Sequence, residues 1–381
     1  MKTAPNDLRH ADVSEIIELL RVQPNLSRAE LGQNLGRTPA TVTNLVRGLI
    51  DVGIVEEVDQ HNSFNGRPRI PLRLNANAMY AITADIGISS VSIALFNFSG
   101  EIVYLLEIPK SLSNVTEGVG IIADGIQHVL SKTGIGKEKI CGLGMSIPGI
   151  FNAAKGTVIF SPNFPEWTGM GLKEIFRKET GFETIIIEND ANASALGELW
   201  FGTGRNLKDF ICVLADTGIG AGFIHDRQLV RGEDNATGEI GHMLVDTEVN
   251  APLCGCGNHG CLEAVASRSI VNKKIQSGES PSEVMEQTSS YLGIAFSNLI
   301  NTFSPQAIIL LGPTVSDYPE MFALIVQKTR VRMLPYLLNR VLFLPSALGH
   351  LAPLYGLAGL LFSDVLTNGS NWLVRSSPCP T

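Results

Sequence analysis

The chain has 381 residues, of which 44% are hydrophobic and 17% charged, and its formal net charge is −8. That composition suits a globular protein with room for two or three cores, and it excludes a disordered or low-complexity chain. No apolar run is long enough to span a membrane and the N-terminus lacks the apolar core of an export signal, so a cytoplasmic protein with reduced cysteines is expected.

An acidic total argues against a chain devoted to nucleic acid, but the charge is unevenly spread. Residues 1–75 carry nine Lys+Arg and nine Asp+Glu, and between Arg21 and Arg47 four arginines stand against Glu30 alone. Asp12-Val13-Ser14-Glu15 has capping-box form and predicts the start of a helix over Ile16, Ile17, Leu19 and Leu20, ended by Pro24. Ser27-Arg28-Ala29-Glu30 is a second such box, opening a short helix that Gly36 closes. Thr38-Pro39 supplies an N-cap and a first-turn proline for a third helix to about Ile50, stopped by Gly53. Val42, Leu45, Leu49 and Ile50 are its inward residues; Ala40, Thr41, Thr43, Asn44 and Arg47 form the opposite face.

Two helices joined by a short glycine turn, the second opening on small polar residues, follow helix-turn-helix logic. Ile54–Val58 reads as a strand, and Asn65-Gly66 as a hairpin turn leading into Arg67-Pro68-Arg69, a wing with two arginines. The predicted DNA contacts are Arg28, Thr38, Ala40, Thr41, Thr43, Asn44, Arg47, Arg67 and Arg69. A three-helix protein-interaction module is the plainer alternative; the wing arginines favour DNA.

From residue 78 onward, strands alternate with helices, which implies an α/β body. Strands are predicted at Tyr80–Gly87, Val91–Phe96, Ile140–Ser146, Thr184–Ile187, Phe210–Asp216 and Ala221–Ile224, with a helix around 116–132. Asp85-Ile86-Gly87 and Asp216-Thr217-Gly218 are Asp-x-Gly turns in matching places, suggesting duplicated lobes that face a cleft. Glu188-Asn189-Asp190-Ala191-Asn192-Ala193 follows an apolar strand, where α/β clefts bind ligands, and doubles as a helix N-cap. Asn189 and Asp190 suit sugar hydroxyls. The loop Ser161–Trp167 adds Asn163, and Trp167 reads equally as a sugar-stacking ring or a buried aromatic.

Three of the six cysteines, Cys254, Cys256 and Cys261, lie within eight residues and are separated mainly by glycine. Three thiolates and one imidazole make a closed tetrahedral zinc set of structural type. His242 or His259 completes it; His242 is favoured because the cysteines on either side of His259 aim its side chain away. Cys141 and Cys212, in apolar runs, read as buried thiols.

Taken together, Glu188–Ala193, Asp216–Gly222, Gly238-Glu239-Ile240-Gly241-His242, Cys254–Glu263 and the later Gly349-x-x-Ala352-x-x-Tyr355-Gly356 resemble the ROK family (repressors, open reading frames and sugar kinases). The resemblance implies a two-lobed sugar kinase/actin-like ATPase (ribonuclease H-like) α/β body, here with an N-terminal winged helix-turn-helix. It implies His242, Cys254, Cys256 and Cys261 as ligands of a structural Zn2+. Asn189, Asp190, Glu239, His242 and Glu263 become sugar contacts, and Asp190 holds the position of the kinase base. The expected organisation is a DNA-binding domain over 1–75, a first lobe over 78–195 to which helix 349–366 returns, and a second lobe over 196–348 with the zinc loop and a dimerisation surface.

Two departures separate this chain from the family's kinases. Their Asp-x-Gly-Gly-Thr loop appears as Asp85-Ile86-Gly87-Ile88-Ser89, and their late glycine turn as Leu311-Gly312-Pro313-Thr314. Ile88 adds a side chain where a phosphate approaches the backbone, and Pro313 removes an N–H. The expectation is a repressor of carbohydrate genes that binds a palindromic operator as a dimer or tetramer and senses a sugar or sugar phosphate without enzymatic activity. A transport-protein partner leaves no signature in these residues. The competing expectation is an ATP-dependent sugar kinase with an accessory DNA-binding head.

Overall fold

The computed structural model describes residues 5–58, 70–112, 114–152, 155–233 and 235–368. In the head, α1 spans Pro5–Val22, β1 Leu26–Ser27, α2 Arg28–Leu35 and α3 Pro39–Asp51, followed by β2 (Val55–Glu57) and β3 (Pro71–Leu74). The strands form a small sheet in the order β1-β3-β2. Both halves of the Ser27/Glu30 capping box are formed, and Gly36 takes the left-handed conformation (φ 61°) that ends α2. Thr38 caps α3, its Oγ1 accepting from Thr41 N at 3.3 Å.

Two details of the head differ from expectation. Helix α1 already runs from Pro5, so Asp12 is not a cap; its carboxylate accepts from Arg37 Nη2 at 2.8 Å and ties α1 to the turn before α3. The inward residues of α3 are Val42, Val46 and Leu49, while Leu45 and Ile50 are only half-buried. The Asn65-Gly66 turn, Arg67 and Arg69 lie outside the described residues.

The first lobe contains β4 (Tyr80–Ile86), β5 (Val91–Asn97), β6 (Ile102–Ile108), α4 (Val115–Thr133), β7 (Ile140–Ile147), β8 (Ile150–Asn152), β9 (Thr157–Phe160), α5 (Leu172–Thr180) and β10 (Ile185–Asn189). Strand β6 escaped the sequence reading because it is an edge strand with no fully buried residue, so its alternation is weak. Helix α6 (Asp190–Trp200) leads to β11 (Phe210–Ala215), β12 (Ile219–His225) and β13 (Gln228–Leu229). There follow α7 (Leu262–Ala266), α8 (Arg268–Gln276), α9 (Pro281–Phe303), β14 (Ala307–Leu311), α10 (Pro313–Ser316), α11 (Pro319–Arg330), β15 (Leu342–Pro345) and α12 (Ala352–Asn368).

The sheet orders, β10-β7-β4-β5-β6 and β15-β14-β11-β12-β13, are the same topology written twice. In each, three antiparallel strands are extended by two parallel strands. Helices α6 and α12 cross between the sheets: α12 packs on α6, β4 and β7, and α6 packs on β11 and β12. Helix α6 passes residue 195 unbroken, so it serves both lobes. Residues 349–366 are long and apolar enough to cross a membrane, but they are 61% buried inside the protein.

Each lobe has its own core, centred on Ile82, Leu143 and Phe176 in the first and on Val213, Phe296 and Ile308 in the second. A further core joins Ile16, Leu20 and Val42 of the head to Phe96, Phe98 and Phe362 of the body. The head is therefore packed onto the first lobe.

Candidate functional site

The turn Ile240–His242 and the segment 254–261 bring four donors together. The ligand atoms of His242, Cys254, Cys256 and Cys261 all lie within 4.8 Å of one another. Cys254 Sγ is 3.6 Å from His242 Nδ1, and Cys256 Sγ is 3.7 Å from Cys261 Sγ. A tetrahedron with Zn–S bonds of about 2.3 Å has edges of about 3.8 Å, so the donors fit the ion in kind and spacing. Burial pushes the Cys261 thiol up to about 12 and raises that of Cys254, whereas backbone hydrogen bonding at Asn258 lowers that of Cys256. A divalent ion would supply the countercharge these thiolates need. His259 is exposed and outside the cluster.

The same segments carry the cleft carboxylates. Glu239 immediately precedes the His242 turn, with Oε2 3.9 Å from His242 Nε2, while Nδ1 faces the thiols. Glu263 opens α7 next to Cys261, and its Oε2 accepts from Ile219 N at 3.1 Å. Opposite them, Asn189 ends β10 and caps α6: Oδ1 accepts from Ala191 N (2.9 Å) and Asn192 N (3.1 Å), and Nδ2 donates to Gly149 O (3.2 Å). Its amide is therefore largely spent on the backbone corner, leaving one N–H for a ligand.

Asp190 is pushed up to about 7 by burial first, then by repulsion from Asp85 and Glu239. Burial likewise lifts Asp85 to about 6, although Ser146 Oγ donates to it at 2.5 Å. Buried Glu188 pairs with Arg231 from the opposite lobe, a contact between sequence-distant residues that no local motif announces.

In the 161–167 loop, one of the two readings of Trp167 is realised. Trp167 is fully buried and donates from Nε1 to Leu112 O at 3.1 Å, so it is core and not a sugar platform. Asn163 is exposed, and the described side-chain bonds of its loop run to Pro148, Leu112 and Asn114, with none to Asn189 or Asp190.

On the head, Ala40, Thr41, Asn44 and Arg47 are exposed along α3 and Thr43 is half-buried. Thr38 is occupied as the cap, and Arg28 is paired with Glu57 at 2.6 Å, which anchors it to β2.

The model of the ROK family matches residues 81–364. This chain belongs to the ROK family. It is 32% identical over 368 residues to the xylose repressor of Bacillus spizizenii, covering 92% of this chain and 94% of that one. A crystal structure of a ROK family transcriptional regulator, a homologue of the E. coli Mlc protein, superposes with a TM-score of 0.79 at 24% identity over 97% of this chain and 99% of that one. A ROK glucokinase from Streptomyces griseus, solved with glucose and AMPPNP, gives 0.62 at 25% identity over 74% of this chain and 98% of that one.

Within this ROK body, Ile88 and Pro313 have structural explanations. Ile88 packs against the first-lobe core. Pro313 is the first residue of α10, where its missing N–H costs the helix nothing.

Proposed function

We propose that this ROK protein is a sugar-responsive, DNA-binding repressor of carbohydrate uptake or metabolism genes that works in the cytoplasm and does not phosphorylate its effector. One observation carries the reading: an exposed α3 face sits on a head bonded to both lobes. The Arg21 guanidinium lies 5.9 Å from the Phe98 ring centroid in the first lobe and 5.2 Å from that of Phe201 after α6. Glu18, one turn earlier, pairs with Arg227 in the β12–β13 turn of the second lobe. Asp12 holds Arg37, just ahead of the α3 cap. A change in lobe angle thus moves α1, and through it the helix that would enter a major groove.

Sugar held by Asn189, Asp190, Glu239, His242 and Glu263 selects one lobe angle, and the population shift changes operator affinity. Zinc on His242, Cys254, Cys256 and Cys261 braces the segments bearing Glu239 and Glu263 and takes no part in chemistry. Residues 1–75 act as the reading head, with Arg67 and Arg69 assigned to its wing; residues 78–195 with 349–366, and residues 196–348, act as the sensing lobes. Two heads are needed for a palindromic operator, so the working form is a homodimer or homotetramer. The xylose repressors among the relatives make xylose the first effector to try.

The test is a salt-controlled gel shift on the gene's own upstream DNA with a sugar panel; no DNA binding under any sugar condition refutes the proposal. A kinase remains the second reading because Asp190, at about 7, suits a general base. Turnover in a coupled ADP-release assay, abolished by Asp190→Asn, would favour that reading.

A further inference from the structure

The segment leading from β13 to Glu239 crosses from the second lobe to the first. Arg231 Nη1 pairs with Glu188 Oε2 at the end of β10, and it also lies 3.4 Å from Asn235 Oδ1. Asn235 Nδ2 in turn donates to Phe151 O in β8 at 3.3 Å. Thr237 N returns to Arg231 O at 3.3 Å, so residues 231 and 237 close a compact strap that continues directly into Gly238 and Glu239. The Glu188 side chain is 1% exposed. Its Oε1 accepts from Asn189 N at 3.0 Å and Asn192 Nδ2 at 3.3 Å, which leaves Oε2 to Arg231. Glu188 thus shapes the corner from which Asn189 and Asp190 emerge, and a second-lobe residue supplies its cation.

We infer that Arg231 is a positioning residue for effector binding: its pair with Glu188 latches the strap across the cleft, bringing Glu239 and the Asn189–Asp190 corner around one sugar. This rests on the cleft being the sugar site. A buried carboxylate stripped of its cation is costly, so separating the lobes means rehydrating Glu188. The latch biases the protein toward the closed, sugar-competent arrangement, and apparent sugar affinity scales with the fraction in that arrangement. Arg231 touches neither α1 nor α3 in any described bond, so it reaches the head only through the lobe angle.

The experiment measures sugar dissociation constants by calorimetry, with D-xylose, D-glucose and N-acetyl-D-glucosamine as probes, alongside gel shifts on the zinc-loaded full chain. Arg231→Gln should raise both the dissociation constant of whichever probe the wild type binds and the sugar concentration that half-changes DNA binding, by about tenfold or more. Any change in DNA affinity without sugar should run opposite to the effect of adding sugar, because the latch and the sugar favour the same lobe angle. Arg231→Lys should recover part of the loss, and Glu188→Gln combined with Arg231→Gln should be no worse than Arg231→Gln alone, as expected for one shared interaction. If Arg231→Gln does not fold, Asn235→Ala tests the strap through its second tie, with a smaller shift in the same direction. Sugar affinity unchanged in these variants, or fully additive effects of the pair, overturns the latch while leaving the repressor reading intact. A wild type that binds DNA but none of the probes, and shows no sugar response, refutes the sugar-sensing reading beneath it.

Discussion

Replacing Cys256 by serine is the sharpest test of the metal as a brace. Cys256 is the least buried of the three thiols and contributes no large apolar surface, so the substitution removes a ligand with little change in packing. The second-lobe core around Phe296 and Ile308 does not include the loop, so the lobe should stay folded without the ion. What loosens is the segment carrying Glu239 and His242. Ordering one residue costs about 1–2 kcal/mol, so re-ordering these two when sugar binds would cost about 2–4 kcal/mol. Ile240 remains buried and its N–H still reaches Gly238 O at 2.7 Å, which favours the lower end. About 2 kcal/mol is a loss of roughly thirtyfold in sugar affinity. Metal content and sugar titration on the same preparation provide the assay, with a thermal melt to show that the variant is folded. A folded variant that has lost its zinc but binds sugar like the wild type would show that the metal does not brace the pocket.

Other outcomes follow from particular contacts. Arg47→Ala, at an exposed position on α3, should weaken operator binding by about 1–3 kcal/mol and lower the salt dependence if Arg47 meets a phosphate; unchanged gel shifts would remove it from the interface. Glu18→Gln breaks the half-exposed pair with Arg227, worth about 1 kcal/mol or less, so the sugar-induced change in DNA affinity should shrink by a few-fold. Reciprocity requires the effect of DNA on sugar affinity to shrink by the same factor, which calorimetry with and without operator can check. Asp190 titrates near 7 when folded, above its unfolded value of 3.8, so the folded state holds the extra proton. Its contribution to stability falls as pH rises from about 4 to 7, and the full penalty is present above about 7. Asp190→Asn should therefore raise the melting temperature at pH 8 more than at pH 5; an equal change at both would contradict the shift.

Features fixed by local chemistry were legible in the sequence. The Ser27/Glu30 box, the Thr38 cap and the Gly36 stop each depend on a few adjacent residues, and all formed as read. The Cys254–Cys261 spacing was equally local, and the preference for His242 over His259, drawn from the cysteines flanking His259, matches the cluster. Asp12 misled because Asp-x-x-Glu fits a capping box whether or not the helix has already begun; its true partner, Arg37, lies in the turn between α2 and α3. Arg231 and Glu188 were invisible for the same reason, since their pairing is created by two lobes closing on each other. Trp167 was ambiguous because an indole N–H can be satisfied by a core carbonyl, here Leu112, as readily as by a ligand.

Packing alone accounts for two second-lobe glycines, Gly222 in β12 and Gly312 after β14. A Cβ on Gly222 would lie 2.3 Å from Ala195 Cβ and 2.8 Å from Ala191 O, because α6 presses directly on β12. One on Gly312, at φ 105°, would meet Ala215 O at 2.3 Å, so that residue must be glycine whatever follows it. Packing requires such glycines whether or not a nucleotide binds, whereas Ile88 packs against the first-lobe core as a side chain and Pro313 opens α10. The distinction can be measured. Gly222→Ala must push α6 off β12, an overpacking cost of about 1–3 kcal/mol, so it should lower the melting temperature by several degrees with no nucleotide present. It should also blunt the sugar response, since α6 begins at Asp190 and crosses between the lobes. If the variant melts like the wild type and responds normally to sugar, packing does not explain Gly222, and its retention would have to be credited to a nucleotide.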